Sequence, residues 1–196
     1  IESNGKLPLP PYITAQRELK DEDKDSYQTV YAKHAGSAAA PTAGLHFTEK
    51  LLHNIQAKGI RICNVLLHVG SGTFSPIKTD NILDHKIHSE WCHLNSQAAD
   101  LLNQTRAAGG NIIAIGTTSM RILESAVNDT GKFSEYKGET DIYIKPGHKF
   151  RAADAMITNF HLPKSSLFVL VCAYYGIDDM QKAYASAMDN NYSCLL

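Results

Sequence analysis

Short segments with the composition of buried strands alternate along this chain with longer segments of helical periodicity. Ile60–Val69 is rich in β-branched residues, and Asn111–Ile115 (NIIAI) is almost wholly apolar, as strands often are. Helices are predicted from a cap at Asn95 or Ser96 onward and over Thr117–Val127. Strands interleaved with helices predict an α/β fold, which we expect to be a three-layer, sandwich-like major domain.

The same signals predict five further elements and one domain boundary. The elements are a helix from Thr48 to Gly59, strands at Lys86–Leu94 and Asp141–Ile144, and helices at Pro163–Tyr175 and Asp178–Met188. Prolines and the mixed-charge run Arg17–Asp25 indicate that residues 1–25 are an entry segment or linker. The α/β domain is therefore expected over residues 26–196.

The composition is that of an ordinary globular domain. The 196 residues are 43% hydrophobic and 20% charged, with a formal net charge of −1, so the whole chain lacks the basic character of many nucleic-acid-binding proteins. No apolar run reaches the roughly 18 residues of a membrane span, and the N-terminus has no signal-peptide pattern. With four cysteines far apart, we expect a soluble cytoplasmic protein with reduced thiols and no membrane partner. The missing initiator Met suggests a fragment or a processed chain.

A first candidate site segment, GSAAAPTAGLHFT, runs over Gly36–Thr48. Its small residues allow the backbone to approach a ligand closely, and His46 is predicted where the loop meets a helix. From the residues alone, a tightly packed loop with a hydrogen-bonded His46 is the favoured interpretation, and a ligand site is the alternative.

A second segment, LLHVGSGTFSP, follows a predicted strand and contains Gly70 and Gly72. A glycine turn here could direct His68 and Thr73 toward a site. The alternative is a dinucleotide or methyltransferase fingerprint, but such a loop should lead into a helix, and Pro76 predicts more loop instead.

A third segment, DHKIHSEWCH, contains His85, His88, Glu90 and His93, which together suggest a metal site. On a strand, His88 and Glu90 would share one face and His93 the other. We therefore predict no bound metal, and favour a hydrogen-bonded pair of His88 and Glu90 in a polar site.

A fourth segment, GTTSMRILES, contains Thr117, Thr118 and Arg121 at the start of a predicted helix. The free backbone N–H groups of a helix N-terminus, reinforced by Arg121, predict a site for a carboxylate or phosphate. A plain capped helix with Arg121 on the surface is the alternative.

A fifth segment, TNFHLPKSSL, places Asn159 and His161 after a strand end and before a helix, where α/β folds bind ligands. We expect the candidate catalytic residues to converge on one cleft with the two glycines on its wall. These residues are His46, His68, His88, Glu90 and His161, with Gly70 and Gly72.

Taken together, these segments closely resemble the S-adenosylmethionine:tRNA ribosyltransferase-isomerase family (QueA). The resemblance covers roughly residues 27–176 and agrees in order and spacing as well as in letters. It runs through YQTVYAKHAGSAAAPTAGLHFT, LHVGSGTFSPI, DHKIHSE, GTTSMRILES, YIKPGHKF and TNFHLPKSSL. It implies a larger α/β domain, most of which this chain would supply, and a small β-barrel domain that it would largely lack. The C-terminal NNYSCLL departs from the YRF-x-SYGDAMLI-like tail of the family.

The resemblance implies an enzyme with no cofactor, for which S-adenosylmethionine is a substrate. Its ribosyl group would join 7-aminomethyl-7-deazaguanine in tRNA and rearrange to an epoxycyclopentanediol, giving epoxyqueuosine and releasing adenine and methionine. A base must take a proton from the 5′ carbon beside the sulfonium, and a donor must help adenine to leave. The implied partners are tRNA and S-adenosylmethionine, and a separately encoded N-terminal half is a further candidate. The alternative is an inactive or split-gene fragment that only binds nucleotide or tRNA.

Overall fold

A computed structural model gives the fold over residues 9, 14, 17–18, 20, 22–34, 36–37, 39–70 and 76–192. Gly72 and Thr73, both predicted to bind substrate, lie outside these residues. Within the described ranges, no helix combines the length and the apolar character that crossing a bilayer requires.

Helices and strands are mixed along the described chain. In order they are α1 (Asp23–Ser26), α2 (Glu49–Ala57), β1 (Leu66–Leu67), β2 (Glu90–Leu94), α3 (Ser96–Ala107), β3 (Ile113–Ile115), α4 (Gly116–Ala126), β4 (Tyr136–Thr140), β5 (Ala155–Ile157), α5 (Ser166–Tyr175) and α6 (Ile177–Asp189), with 3-10 turns at Thr42–His46 and Ile82–Asp84. This mixture confirms the predicted α/β class.

The helix starts are set by side chains that accept hydrogen bonds from otherwise unpaired N–H groups. Thr48 Oγ1 accepts from the N–H of Leu51 at 3.1 Å, and Asn95 Oδ1 accepts from that of Ala98 at 2.8 Å. Both helix starts were predicted, and the second is now assigned to Asn95 rather than Ser96. Ser165 caps α5 in the same way.

The strands form two small sheets. The first is antiparallel, in the order β1-β2-β4, with Cys92 of β2 opposite Leu67 of β1 and Gly138 of β4. The second pairs β3 with β5 in parallel, placing Ala114 opposite Met156. Alternation along β2 buries Glu90, Cys92 and Leu94, which brings one carboxylate to the inner face of the sheet.

Helix α4 contacts strands of both sheets and lies at the centre of the fold. It follows β3 directly, and Gly116 makes the turn with a φ of +87°, a conformation that glycine adopts without strain. Met120 and Ile122 of α4 are fully buried, and so are Leu94 of β2 and Leu170 of α5. The core thus holds α4 against both sheets, which positions its polar side chains as firmly as its apolar ones.

Three predicted strands are corrected by the structure. Of Ile60–Val69 only Leu66–Leu67 pairs, and Lys86–Leu94 shortens to Glu90–Leu94. The strand predicted at Asp141–Ile144 is wrong, because β2 pairs instead with the less apolar Tyr136–Thr140. Apolar residues near 144 serve the core without pairing, and strand propensity alone could not distinguish the two roles.

Candidate functional site

A buried ion pair between Glu90 and Arg121 joins β2 to the central helix. Arg121 Nη1 donates to Glu90 Oε2, and the two residues are only 4% and 6% exposed. Glu90 Oε1 also accepts from the backbone N–H of Gly70 at 3.1 Å. Three predicted site residues from three separate segments therefore meet in one hydrogen-bonded network.

Arg121 also lines a narrow cleft between residues 85–88, residues 142–144 and the start of α5. The polar groups on this cleft come from His85, His88, Tyr143 and Ser166. Its enclosed part has a volume of about 20 Å³, which is room for one or two water-sized groups. The cleft can admit the tip of a ligand but does not enclose a whole nucleoside.

His68 is held by packing on two sides. A Cβ placed on Gly36 would lie 2.9 Å from the His68 ring, and the ring also packs on Trp91 with centroids 5.3 Å apart. The neighbouring Val69 N–H donates to Ser37 Oγ at 3.1 Å. His68 Nδ1 is buried and has no hydrogen-bond partner within the described part of the chain, so it is a candidate for proton transfer.

A second group of predicted residues forms around the loop after β5. Asn159 Nδ2 lies 3.3 Å from His46 Nε2. His161 Nε2 lies 2.9 Å from Thr158 Oγ1, and its backbone N–H donates to Tyr184 Oη. Burial lowers the pKa of His161 to about 4, so its imidazole is neutral at pH 7.

The start of α4 differs in part from what the sequence predicts. Thr117 is buried, Thr118 is half-buried, and Ser119 Oγ donates to the Ile115 carbonyl. Arg121 is not a surface residue, so the interpretation as a plain capped helix with a surface arginine is wrong. Anion binding by the N–H groups of this helix stays a prediction.

The structure brings the predicted residues together in parts. Gly70, Glu90 and Arg121 form one network, and His88 shares the cleft with Arg121. His46 and Asn159 form the other contact, near His161. Convergence of all five candidate catalytic side chains on one cleft stays a prediction, as do the roles of Gly72 and Thr73. Among the described residues, no group of three or more His, Cys, Asp or Glu side chains is arranged to hold a metal ion.

The alternation of side chains between the two faces of a strand does not apply to His88. It precedes β2 and is exposed, so the shared strand face predicted for it with Glu90 does not exist.

Two polar residues of the cleft were not predicted. Tyr143 and Ser166 line it, yet neither has an unusual composition around it. Tyr143 lies in YIKPGHKF, and Ser166 lies in TNFHLPKSSL, so the resembling segments contain the only signal that could have identified them.

The fold and the site define an α/β domain with a polar cleft built from strand ends and helix starts around a buried Glu–Arg pair. A family model described as "Queuosine biosynthesis protein" matches residues 1–195, and the chain belongs to that family. The family resemblance found in the sequence is thereby confirmed.

Relatives of known name agree. The chain is 52% identical over 192 residues to the S-adenosylmethionine:tRNA ribosyltransferase-isomerase of Phenylobacterium zucineum, covering 98% of this chain and 54% of the relative. It is 53% identical to the protein of the same name from Afipia carboxidovorans, covering 98% and 53%. The chain therefore spans about half the length of these relatives.

One solved structure is similar in fold and sequence. It is the crystal structure of an S-adenosylmethionine tRNA ribosyltransferase from Thermotoga maritima, with a TM-score of 0.60 and 35% identity. The similarity covers 76% of this chain and 46% of that one.

Proposed function

We propose that this chain supplies the α/β part of an enzyme that transfers and isomerises the ribosyl group of S-adenosylmethionine onto a modified base in tRNA. The observation that carries the proposal is the meeting of family segments in the fold. Gly70 contacts Glu90, Glu90 contacts Arg121, and His46 contacts Asn159. These five residues come from five of the six segments by which the chain resembles the family, and the sixth supplies Tyr143 to the cleft.

The reaction proposed has defined inputs and products. The ribosyl group joins the aminomethyl nitrogen of 7-aminomethyl-7-deazaguanine in tRNA and rearranges to an epoxycyclopentanediol. Epoxyqueuosine-tRNA, adenine and methionine are the products. The sulfonium acidifies the adjacent 5′ protons, so the site needs a base there and a hydrogen-bond donor toward the departing adenine.

His68 is the residue we assign to proton transfer. Its Nδ1 has no partner among the described residues, while Gly36 and Trp91 hold the ring in place. A fixed imidazole with a free nitrogen can accept or donate a proton without first breaking a hydrogen bond.

His161 has a different role in the proposal. Because burial lowers the pKa of His161 to about 4, it acts at neutral pH as an uncharged hydrogen-bonding group. We place it with His46 and Asn159 in positioning the nucleoside, and place His88 at the mouth of the cleft that Arg121 lines.

About half of the length of the relatives is not spanned by this chain. Since the chain spans about half of its relatives, we propose that tRNA docking needs further sequence, in the same polypeptide or in a separate one. The reaction is assigned to the cytoplasm, where tRNA is present and where Cys63, Cys92 and Cys172, which are free thiols, stay reduced.

Adenine release tests the proposal. The chain is incubated with S-adenosylmethionine and substrate tRNA, alone and with the complementary half of a relative, and adenine is measured by chromatography. Adenine should form in at least the combined reaction, and His68→Gln should reduce its rate by about a hundredfold or more. His53→Gln, on the exposed face of α2, is the matched control and should leave the rate unchanged. No adenine in either reaction, with both substrates shown to bind, would favour the alternative of a fragment that only binds.

A further inference from the structure

Among the described residues, only one of the three guanidinium nitrogens of Arg121 has a hydrogen-bond partner. Nη1 donates to Glu90, whereas Nε and Nη2 are buried and have no hydrogen-bond partner among the residues that the structure describes. Nε and Nη2 lie along one edge of the planar guanidinium, the edge that binds two oxygens of one acceptor in parallel. A buried charged donor without an acceptor costs several times the net gain of an ordinary hydrogen bond, so this edge is suited to a ligand.

Further hydrogen-bond donors belong to residues that line the same cleft. The Tyr143 hydroxyl is buried and has no hydrogen-bond partner in the described part of the chain, and Tyr143 lines the cleft with Arg121. Ser166 and Leu167, the first two residues of the ten-residue helix α5, also line it. Their backbone N–H groups stand at the positive end of the helix dipole, where no intrahelical acceptor is available.

The charged groups at the cleft favour a ligand with one negative charge over a ligand with two. Glu90 already neutralises Arg121, so the remaining positive potential comes from the α5 N-terminus and amounts to about half a charge. The available edge of Arg121 is planar and presents two parallel donors. A planar monoanion matches this arrangement in both charge and shape, and the enclosed volume of about 20 Å³ suits a group of two oxygens.

We propose that this cleft is a carboxylate subsite. The carboxylate lies against Nε and Nη2 of Arg121, and the Tyr143 hydroxyl donates to one of its oxygens. This inference rests on the proposed function for one point, that the carboxylate is the one at the methionine end of S-adenosylmethionine. The rest of the substrate then lies outside the cleft.

Calorimetric titration with S-adenosylmethionine and its decarboxylated analogue tests the subsite. The carboxylate should make binding about ten- to a hundredfold tighter. Tyr143→Phe, which keeps the ring, should weaken S-adenosylmethionine by about tenfold and leave the decarboxylated analogue unchanged. Tyr136→Phe, in strand β4, is the matched control and should alter neither. Equal affinity for the two compounds, or an equal loss for both in Tyr143→Phe, would overturn the subsite.

L-Methionine separates the subsite from the proposed function. If L-methionine binds in a Tyr143-dependent way while S-adenosylmethionine does not bind, the subsite stands and the proposed substrate is wrong. If S-adenosylmethionine binds and reacts without dependence on Tyr143, the function stands and the subsite is wrong. Inorganic phosphate should not compete with L-methionine, and Tyr143-dependent competition would contradict selectivity for a carboxylate. Absence of any L-methionine and S-adenosylmethionine binding also overturns the subsite.

Discussion

Glu90 and Arg121 are 31 positions apart in the chain and form a buried ion pair between an antiparallel strand and the central helix. The side chains of the pair are 2% and 7% exposed. Because the pair is removed from water, loss of either partner would leave the other charge buried and unpaired. The candidate site and the stability of the fold therefore depend on the same two residues. The same arginine that we assign to ligand binding is therefore also a structural residue.

Changing both residues of this pair should cost less stability than the two single changes added together. Arg121→Met leaves the Glu90 carboxylate buried and should lower the free energy of unfolding by about 3–5 kcal/mol. The double variant with Glu90→Gln should lose less than the sum of the single changes, with a coupling of about 1–3 kcal/mol in urea unfolding. Glu22→Gln, in an exposed pair with Lys20, is the control and should cost under about 1 kcal/mol. Additive effects at Glu90 and Arg121 would contradict the coupling.

Gly36 should be needed for the position of His68. Alanine there would place its Cβ 2.9 Å from the His68 ring and would be strained at a φ of +129°. Gly59→Ala shares the strain, with a φ of +77°, but its Cβ would meet nothing within 4 Å. We expect both variants to lose about 1 kcal/mol of stability or more, and only Gly36→Ala to lose adenine-releasing activity at equal folded fraction. Equal activity in the two variants would contradict a fixed His68.

The free energy of unfolding should decrease as pH decreases below about 6.5, because of His161. Burial lowers the pKa of His161 in the folded chain from its ordinary 6.5 to about 4. Above pH 6.5 both states are neutral, and below it the unfolded chain gains the proton first, so stability is lost as pH falls toward 4. The free energies of unfolding of the natural chain and of His161→Gln, measured in urea, should depend differently on pH in this window, by a total on the order of 3 kcal/mol. Parallel curves would show that His161 is not buried in its neutral form.

Glu124 should stabilise the fold by holding residues 148–152 against helix α4. Its carboxylate is buried and accepts from the N–H groups of Arg151 and Ala152 at 2.9 and 2.8 Å, and it pairs with His148 Nε2 at 2.9 Å. Glu124→Ala should lose about 2–4 kcal/mol of unfolding free energy, because two backbone donors lose their acceptor. Thermal unfolding of Glu135→Ala, whose side chain is 56% exposed, supplies the control. A similar small loss of stability in both variants would contradict this role of Glu124.

The elements that the sequence predicted best are those with local signals. The caps at Thr48 and Asn95 depend on neighbours three residues away, and both were predicted from the chain alone. The strand at Tyr136–Thr140 was missed because its pairing with β2 is a tertiary contact that composition does not encode.

The candidate site shows the same division between local and distant information. Glycines and a helix start marked the segments that contain Gly70 and Arg121. The burial of Arg121 against Glu90 could not be predicted, because the two residues are brought together by the packing of α4 on the first sheet. Tyr143 was missed for a related reason, since an unpartnered hydroxyl can be identified only in three dimensions.

The fate of the ribosyl group is the most direct test of the proposed function. The chain, with the complementary half of a relative, is incubated with substrate tRNA and S-adenosylmethionine labelled either in the ribosyl carbons or in the methyl group. Label recovered in purified tRNA is then counted. We expect ribosyl label to enter tRNA in step with adenine release, and methyl label to stay out of it. Methyl label in tRNA, or no ribosyl label when both substrates are bound, would contradict it.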